Sequence, residues 1–196
     1  MATISATALQ GLPEIHSDDD PARLIAASLR GERVSDEDVL VVAHKMISKA
    51  EGRTRRLTEV QPGERALALA LALGKDPRHV QVVLDETREV RRAERGVLIT
   101  DSFGRAWRTG QCDVVIGCAG LTALDDWRGR TDIRGRELRA TVIAVADQLA
   151  GAADLARAKD AMQPAILVRG AGRWVTSDDG PGVAPLIRDP EHDLFR

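Results

Sequence analysis

Four short stretches of the chain are apolar without interruption and mostly β-branched: Val39-Leu-Val-Val-Ala43 behind Asp38, Val97-Leu-Ile-Thr100 behind Gly96, Val114-Val-Ile116, and Ala165-Ile-Leu-Val168. A strand with one wet face alternates apolar and polar residues, so runs that do not alternate read as strands buried on both sides. Helices are needed as cover, and the sequence predicts them. Asp20 before Pro21 is a helix start, with Leu24, Ile25 and Leu29 on one side. Pro62 to Leu73 alternates Ala and Leu, which alone would suggest a strand, but Ala is the best helix former and Pro62 and Gly74 sit where a helix begins and stops. From Pro77 a helical stripe runs through Val80, Val83, Leu84, Thr87 and Val90, and Thr141 to Ala158 reads as the longest helix. Ala2 to Leu9 is a candidate strand and Gly170 to Gly182 a loop. Strands and amphipathic helices in this mixture point to α+β or α/β architecture.

With 196 residues the chain can bury on the order of 70% of its unfolded surface, enough for one self-supporting domain. A content of 43% hydrophobic and 30% charged residues excludes disorder over most of the length. The net charge of −2 excludes a global basic field for nucleic acid or anionic membrane, so any phosphate must be caught locally. No apolar run approaches the roughly 20 residues a bilayer needs, and the first residues carry no targeting pattern, so no membrane association and a cytoplasmic location are expected. Two cysteines, Cys112 and Cys118, without partners at finger spacing, are neither a disulfide framework nor a zinc site. The cations are 24 arginines and only four lysines, two of which, Lys45 and Lys49, lie four residues apart.

Three clusters bear chemistry. Asp101-Ser102 is expected at the carboxyl edge of the Gly96–Thr100 strand, where a carboxylate beside a hydroxyl is a pair of hard oxygen donors suited to Mg²⁺ or Mn²⁺ with substrate phosphates completing the shell; alternatively Asp101 caps a turn before Gly104. The next residues, Phe103 to Gln111, hold Arg105 and Arg108, whose forked guanidinium groups match phosphate or carboxylate edges. His44-Lys45 with Ser48-Lys49 lies just past a strand, where the ammonium groups either meet a polyphosphate or form a solvated basic turn; on a helix, Lys45 and Lys49 share a face. The Asp126 to Arg139 stretch, dense in Arg and Gly, is an anion-binding loop or a salt-bridged surface or dimer arm. There is no Walker loop, no Gly-x-Gly-x-x-Gly and no nucleophile elbow.

Gly11-Leu-Pro-Glu-Ile15, Asp38-Val-Leu-Val-Val, Ile47-Ser-Lys-Ala-Glu-Gly-Arg53, Thr100-Asp-Ser-Phe-Gly-Arg-Ala-Trp-Arg108, Gly135-Arg-Glu-Leu138, Val145-Ala-Asp147, Pro164-Ala-Ile-Leu-Val-Arg-Gly170 and Asp193-Leu-Phe195 occur in that order. Together they resemble the coenzyme F-420-0:L-glutamate ligase family over nearly the whole chain. The resemblance implies an α+β fold of two intertwined subdomains, a homodimer, and a GTP-dependent amide ligase with F-420-0 and L-glutamate as substrates, Mg²⁺ or Mn²⁺ as divalent ions and K⁺ as an accessory ion. It places nucleotide contacts on Leu12, Pro13, Glu14, Ile15, His44, Lys45, Lys49, Lys159 and Met162, metal ligands on Asp101 and Ser102, and Asp101, Arg105 and Arg108 at the reacting charge. The implied chemistry is an acyl phosphate, formed when the substrate carboxylate attacks the γ-phosphoryl of GTP and then opened by the amine of glutamate. Residues 1–196 are then one ligase-like domain with one departure: the family's Asn-Ala-Gly-x-Asp-x-Ser-Asn segment, with a metal-binding aspartate, is missing, as though Gly96-Val-Leu-Ile99 were joined directly to Thr100-Asp101. The alternatives to a full ligase are a truncated homologue that binds nucleotide or deazaflavin without full activity, and an unrelated Mg²⁺-dependent phosphotransferase using Asp101.

Overall fold

The computed structural model describes residues 3–73, 76–85, 96–105, 108–189 and 191. Among them the elements run β1 (Ser5–Ala8), α1 (Pro21–Ser28), β2 (Val39–Ala43), α2 (His44–Ala50), α3 (Glu64–Leu73), α4 (Pro77–Asp85), β3 (Val97–Arg105), β4 (Arg108–Ala119), β5 (Leu124–Asp126), β6 (Val142–Ala144), α5 (Val145–Ala156) and β7 (Ala165–Arg169). The class is α+β. Five strands form one mixed sheet in the order β1-β7-β2-β3-β4, with only β2 and β3 parallel, and β5 and β6 pair separately.

The uninterrupted apolar runs are the buried strands. Alternate residues of β2 and β7 face opposite sides, as the pleat requires. Val39, Val41, Ile166 and Val168 join Leu98 and Val115 against Val145, Ala146, Leu149 and Ala153 of α5. On the other side Val42, Ala165 and Leu167 pack with Ile25 of α1, Met46 of α2, and Leu9, Leu12 and Ile15. The start of α1 is as the sequence predicts, with the Asp20 carboxylate accepting from the Arg23 backbone N–H at 3.1 Å. The Ala/Leu segment is helical. Its small Ala66 and Ala70 are buried, whereas Leu71 is 88% exposed.

Three boundaries differ from the sequence reading. The long helix starts at Val145, because Val142–Ala144 is taken by antiparallel pairing with Leu124–Asp126. Val114–Ile116 is the middle of a twelve-residue strand, since β4 pairs with β3 as far as Arg105; its polar Thr109, Gln111 and Asp113 hid the outer half. Asp101 is neither at a strand end nor in a turn: β3 continues past it, and Gly104 is a strand residue opposite Gln111. The pairing slips between Ile99 and Thr100, where β4 gains Ile116 as an extra residue. Thr87, Val90, Trp107 and Asp193–Phe195 lie outside the described residues.

Candidate functional site

At the carboxyl end of β2 the chain turns straight into α2, while its parallel neighbour β3 runs on for five more residues beyond Thr100. The step leaves a cavity of about 660 Å³. One wall is Pro13, Glu14 and Ile15; a second is His44, Lys45, Met46 and Lys49 of α2; a third is Thr100, Asp101 and Ser102 with Gln111 and Asp113 of β4; the last is the loop from Arg157 to Pro164. That volume lies within the usual range for small-molecule and cofactor sites.

The expected site residues divide accordingly. Pro13, Glu14, Ile15, His44, Lys45, Lys49, Asp101, Ser102, Lys159 and Met162 all line the cavity. Leu12 is instead a buried residue of the α1/α2 core. Arg105 and Arg108 sit at the far end of the β3–β4 hairpin, where Arg105 donates to the Thr109 carbonyl at 2.9 Å, and neither reaches the cavity wall. None of residues 126–139 lines it either. Within that stretch Arg128 pairs with Asp126 at 2.6 Å and Arg139 with Glu137 at 3.5 Å, Arg130 reaches Asp125 at 3.6 Å, and the Asp132 carboxylate accepts from the Arg134 and Arg136 backbone N–H groups. These ion pairs fit the salt-bridged surface or dimer arm of the two readings.

α2 is helical, so Lys45 and Lys49 do share a face on the cavity. Lys49 Nζ meets Glu14 Oε1 at 3.3 Å, a solvent-exposed pair. His44 Nδ1 lies 3.1 Å from Asp101 Oδ1, and that oxygen also accepts from the Ser102 backbone N–H at 2.8 Å. Lys45 has no anionic partner among the described residues. Met162 holds φ at +46°, unusual for a residue with a side chain, in a loop closed by the Gln163 side chain accepting from the Ala158 backbone N–H at 3.2 Å.

Two residues that the sequence did not single out anchor the wall. Asp113 is only 2% exposed. Its carboxylate accepts from Thr100 Oγ1, Ser102 Oγ and Arg157 Nη1, each at 2.9 Å, and Lys159 Nζ stands 3.8 Å away. Burial alone would push this carboxyl up; the Thr100 and Ser102 hydroxyl bonds and the Arg157 and Lys159 charges outweigh it and hold it below its ordinary range. Arg157 is 9% exposed, and its Nε and Nη2 have no hydrogen-bond partner among the described residues. Lys159 also pairs with Asp154 and donates to Ser102 Oγ at 3.4 Å. Gln111, noted in the sequence only as part of an Arg-rich stretch, adds an amide to the wall.

The cavity-facing Asp101 carboxylate and Ser102 hydroxyl are hard oxygen donors, and no group of three metal-ligating side chains occurs among the described residues. Such a set fits an ion of the Mg²⁺ kind, which takes one or two protein oxygens and completes its shell with water and phosphate. Cations on two walls, with a hard-oxygen pair on a third, give the cleft the donors and charges that an oxyanion-bearing ligand requires.

Comparison with known proteins makes the class specific. The sequence matches the F420-0:Gamma-glutamyl ligase family over residues 11–95 and again over 91–170, and the chain belongs to that family of ligases. It is 32% identical to the coenzyme F420:L-glutamate ligase of Methanothermobacter thermautotrophicus over 98% of this chain and 99% of that protein. The proteins of the same name from Archaeoglobus fulgidus and Halobacterium salinarum are 35% and 37% identical, over 96% and 97% of this chain. The first alignment spans 250 positions, of which 98% of a 196-residue chain fills about 192, so some 58 positions of that relative face no residue here. No helix among the described residues is long and apolar enough to cross a membrane.

Proposed function

We propose that this chain is a GTP-dependent ligase that adds L-glutamate to coenzyme F-420-0 through an acyl phosphate. What supports it is the convergence on one cavity of the Pro13–Ile15 segment, the α2 basic face, the Asp101-Ser102 pair and the loop bearing Lys159 and Met162. In the reaction a carboxylate oxygen of F-420-0 attacks the γ-phosphorus of GTP and GDP leaves; the amine of glutamate then attacks the acyl carbon, phosphate leaves and the amine proton is lost. The protein's share is orientation and charge neutralisation. Lys45, Lys49 and Lys159 face the phosphates, and Pro13–Ile15 with Met162 form the wall for the nucleotide. Asp101 and Ser102 would hold Mg²⁺ or Mn²⁺, which offsets phosphate charge when bound. K⁺ as an accessory ion, a cytoplasmic location and a homodimer complete the reading, with residues 1–196 as one ligase-like domain shortened near 99–100. The slip in strand pairing between Ile99 and Thr100 falls at that join, and the two family matches meet a few residues earlier, at 91–95.

Purified protein incubated with GTP, Mn²⁺, glutamate and F-420-0 should release GDP and yield a product heavier by one glutamyl residue. GDP release without that product overturns the proposal. The roughly 58 unfilled positions favour a second reading, a nucleotide- or deazaflavin-binding homologue without full ligase activity. Saturable F-420-0 and GTP binding with no product at any enzyme concentration would establish it.

A further inference from the structure

We propose that Asp113 is the positioning residue of the cavity, a single buried carboxylate that turns the Ser102 hydroxyl oxygen toward a bound cation while restraining the Arg157 guanidinium. The inference rests on the reading of Asp101 and Ser102 as cation donors. A serine hydroxyl has one hydrogen, and an ionised carboxylate can only accept. The 2.9 Å contact between Ser102 Oγ and Asp113 Oδ1 therefore consumes that hydrogen and leaves the Ser102 lone pairs for something else. What stands there is a cation: Lys159 Nζ, 3.4 Å from the same Oγ and on the cavity wall. Thr100 Oγ1 and Arg157 Nη1 occupy the other carboxylate oxygen, Lys159 Nζ stands 3.8 Å from the first, and Asp113 is buried behind these neighbours. Its action is through its neighbours. Among the described residues Asp113 is also the one side chain that holds the Arg157 guanidinium, whose Nε and Nη2 have no partner; without Asp113, a buried positive charge on the wall would be uncompensated.

An amide of the same shape separates these roles. In Asp113→Asn the amide nitrogen can donate to Ser102, which reverses the hydroxyl and points its hydrogen at the cation position; the carboxylate charge beside Arg157 disappears as well. Two affinities should then move in opposite directions. Mn²⁺ alone, titrated by electron paramagnetic resonance, should bind about tenfold or more weakly, the usual scale for loss of a group that orients a ligand. Inorganic triphosphate without metal, measured calorimetrically, should bind several-fold more tightly, because a negative charge has left the wall. Ser102→Ala should weaken Mn²⁺ by a similar factor and leave triphosphate affinity unchanged, and the double variant should lose no more Mn²⁺ affinity than Ser102→Ala alone. Additive losses in the double variant, or parallel weakening of both probes in Asp113→Asn, would overturn the proposal, since general damage moves both the same way. If the wild-type chain takes up no Mn²⁺, the cation reading fails by itself, and the triphosphate result still decides for Asp113: no rise in affinity rejects it. Should Asp113→Asn not fold, unchanged Mn²⁺ affinity in Ser102→Ala rejects the coupling.

Discussion

Because two hydroxyls and two cations hold Asp113 ionised inside the sheet, its protonation must break a network that spans β3, β4 and the residues after α5. Its folded pKa is below the ordinary 3.8, so the stabilisation is fully present above that value and is lost as pH falls through the folded one. Chemical denaturation at stepwise lower pH should show wild-type stability falling below about pH 4, with a smaller fall in Asp113→Asn; equal slopes would count against the network. Lys45, which lacks an anionic partner among the described residues, should contribute most to nucleotide capture. Lys45→Ala is expected to raise the KM for GTP about tenfold, the scale of one hydrogen bond to a charged group, with little change in kcat, whereas Lys49→Ala should cost less because its ammonium already meets Glu14. Equal KM effects would contradict that ranking. His44, Lys45 and Lys49 were legible because lysine is scarce and the pair lies at helical spacing past a strand. Asp113 and Arg157 were not. Asp113 looks like a solvated residue before an apolar run, and only cross-strand pairing with Ser102 shows that it is enclosed. Arg157 is one arginine among many, and its burial depends on where α5 stops.

At the scale of elements, local signals set the beginnings and tertiary pairing set the ends. Asp20 with Pro21 predicted the start of α1, and replacing that cap should show its worth: Asp20→Ala is expected to cost about 1 kcal/mol in denaturant titrations. A loss within error would mean the cap is redundant. Leu149 of α5 packs at 3% exposure into the sheet, so Leu149→Ala should cost about 2–5 kcal/mol and shift the thermal midpoint far more than Leu71→Lys, which alters an exposed position on α3 and should stay within about 0.5 kcal/mol. A large destabilisation by Leu71→Lys would show that this face is covered in solution. The outer half of β4 and the short β6 were illegible for one reason: their residues pair by register with a partner strand, and neither alternation nor propensity announces a register. The sharp exit from β7 was easier to read. Gly170 holds φ at +85°, and a side chain there would meet the Thr3 carbonyl at 2.0 Å, so no other residue fits that turn.

For the whole molecule, the sheet order sets a timetable for folding. Among the described residues β1 pairs with no strand but β7, and β2 has β7 on one edge and β3 on the other. Leu40 finds Val97 only across 57 positions of chain, and Ala6 finds Val168 across 162, which are costly closures compared with the β3–β4 hairpin. The hairpin can therefore form early, while β1 must wait for β7. Pulsed hydrogen exchange should find β3 and β4 amides protected before those of β1, and simultaneous protection would refute the order. A ribosome carrying this chain must thus shelter Ser5–Ala8 until residue 169 has emerged, which leaves β1 far more dependent than the β3–β4 hairpin on whatever meets a nascent chain at the exit.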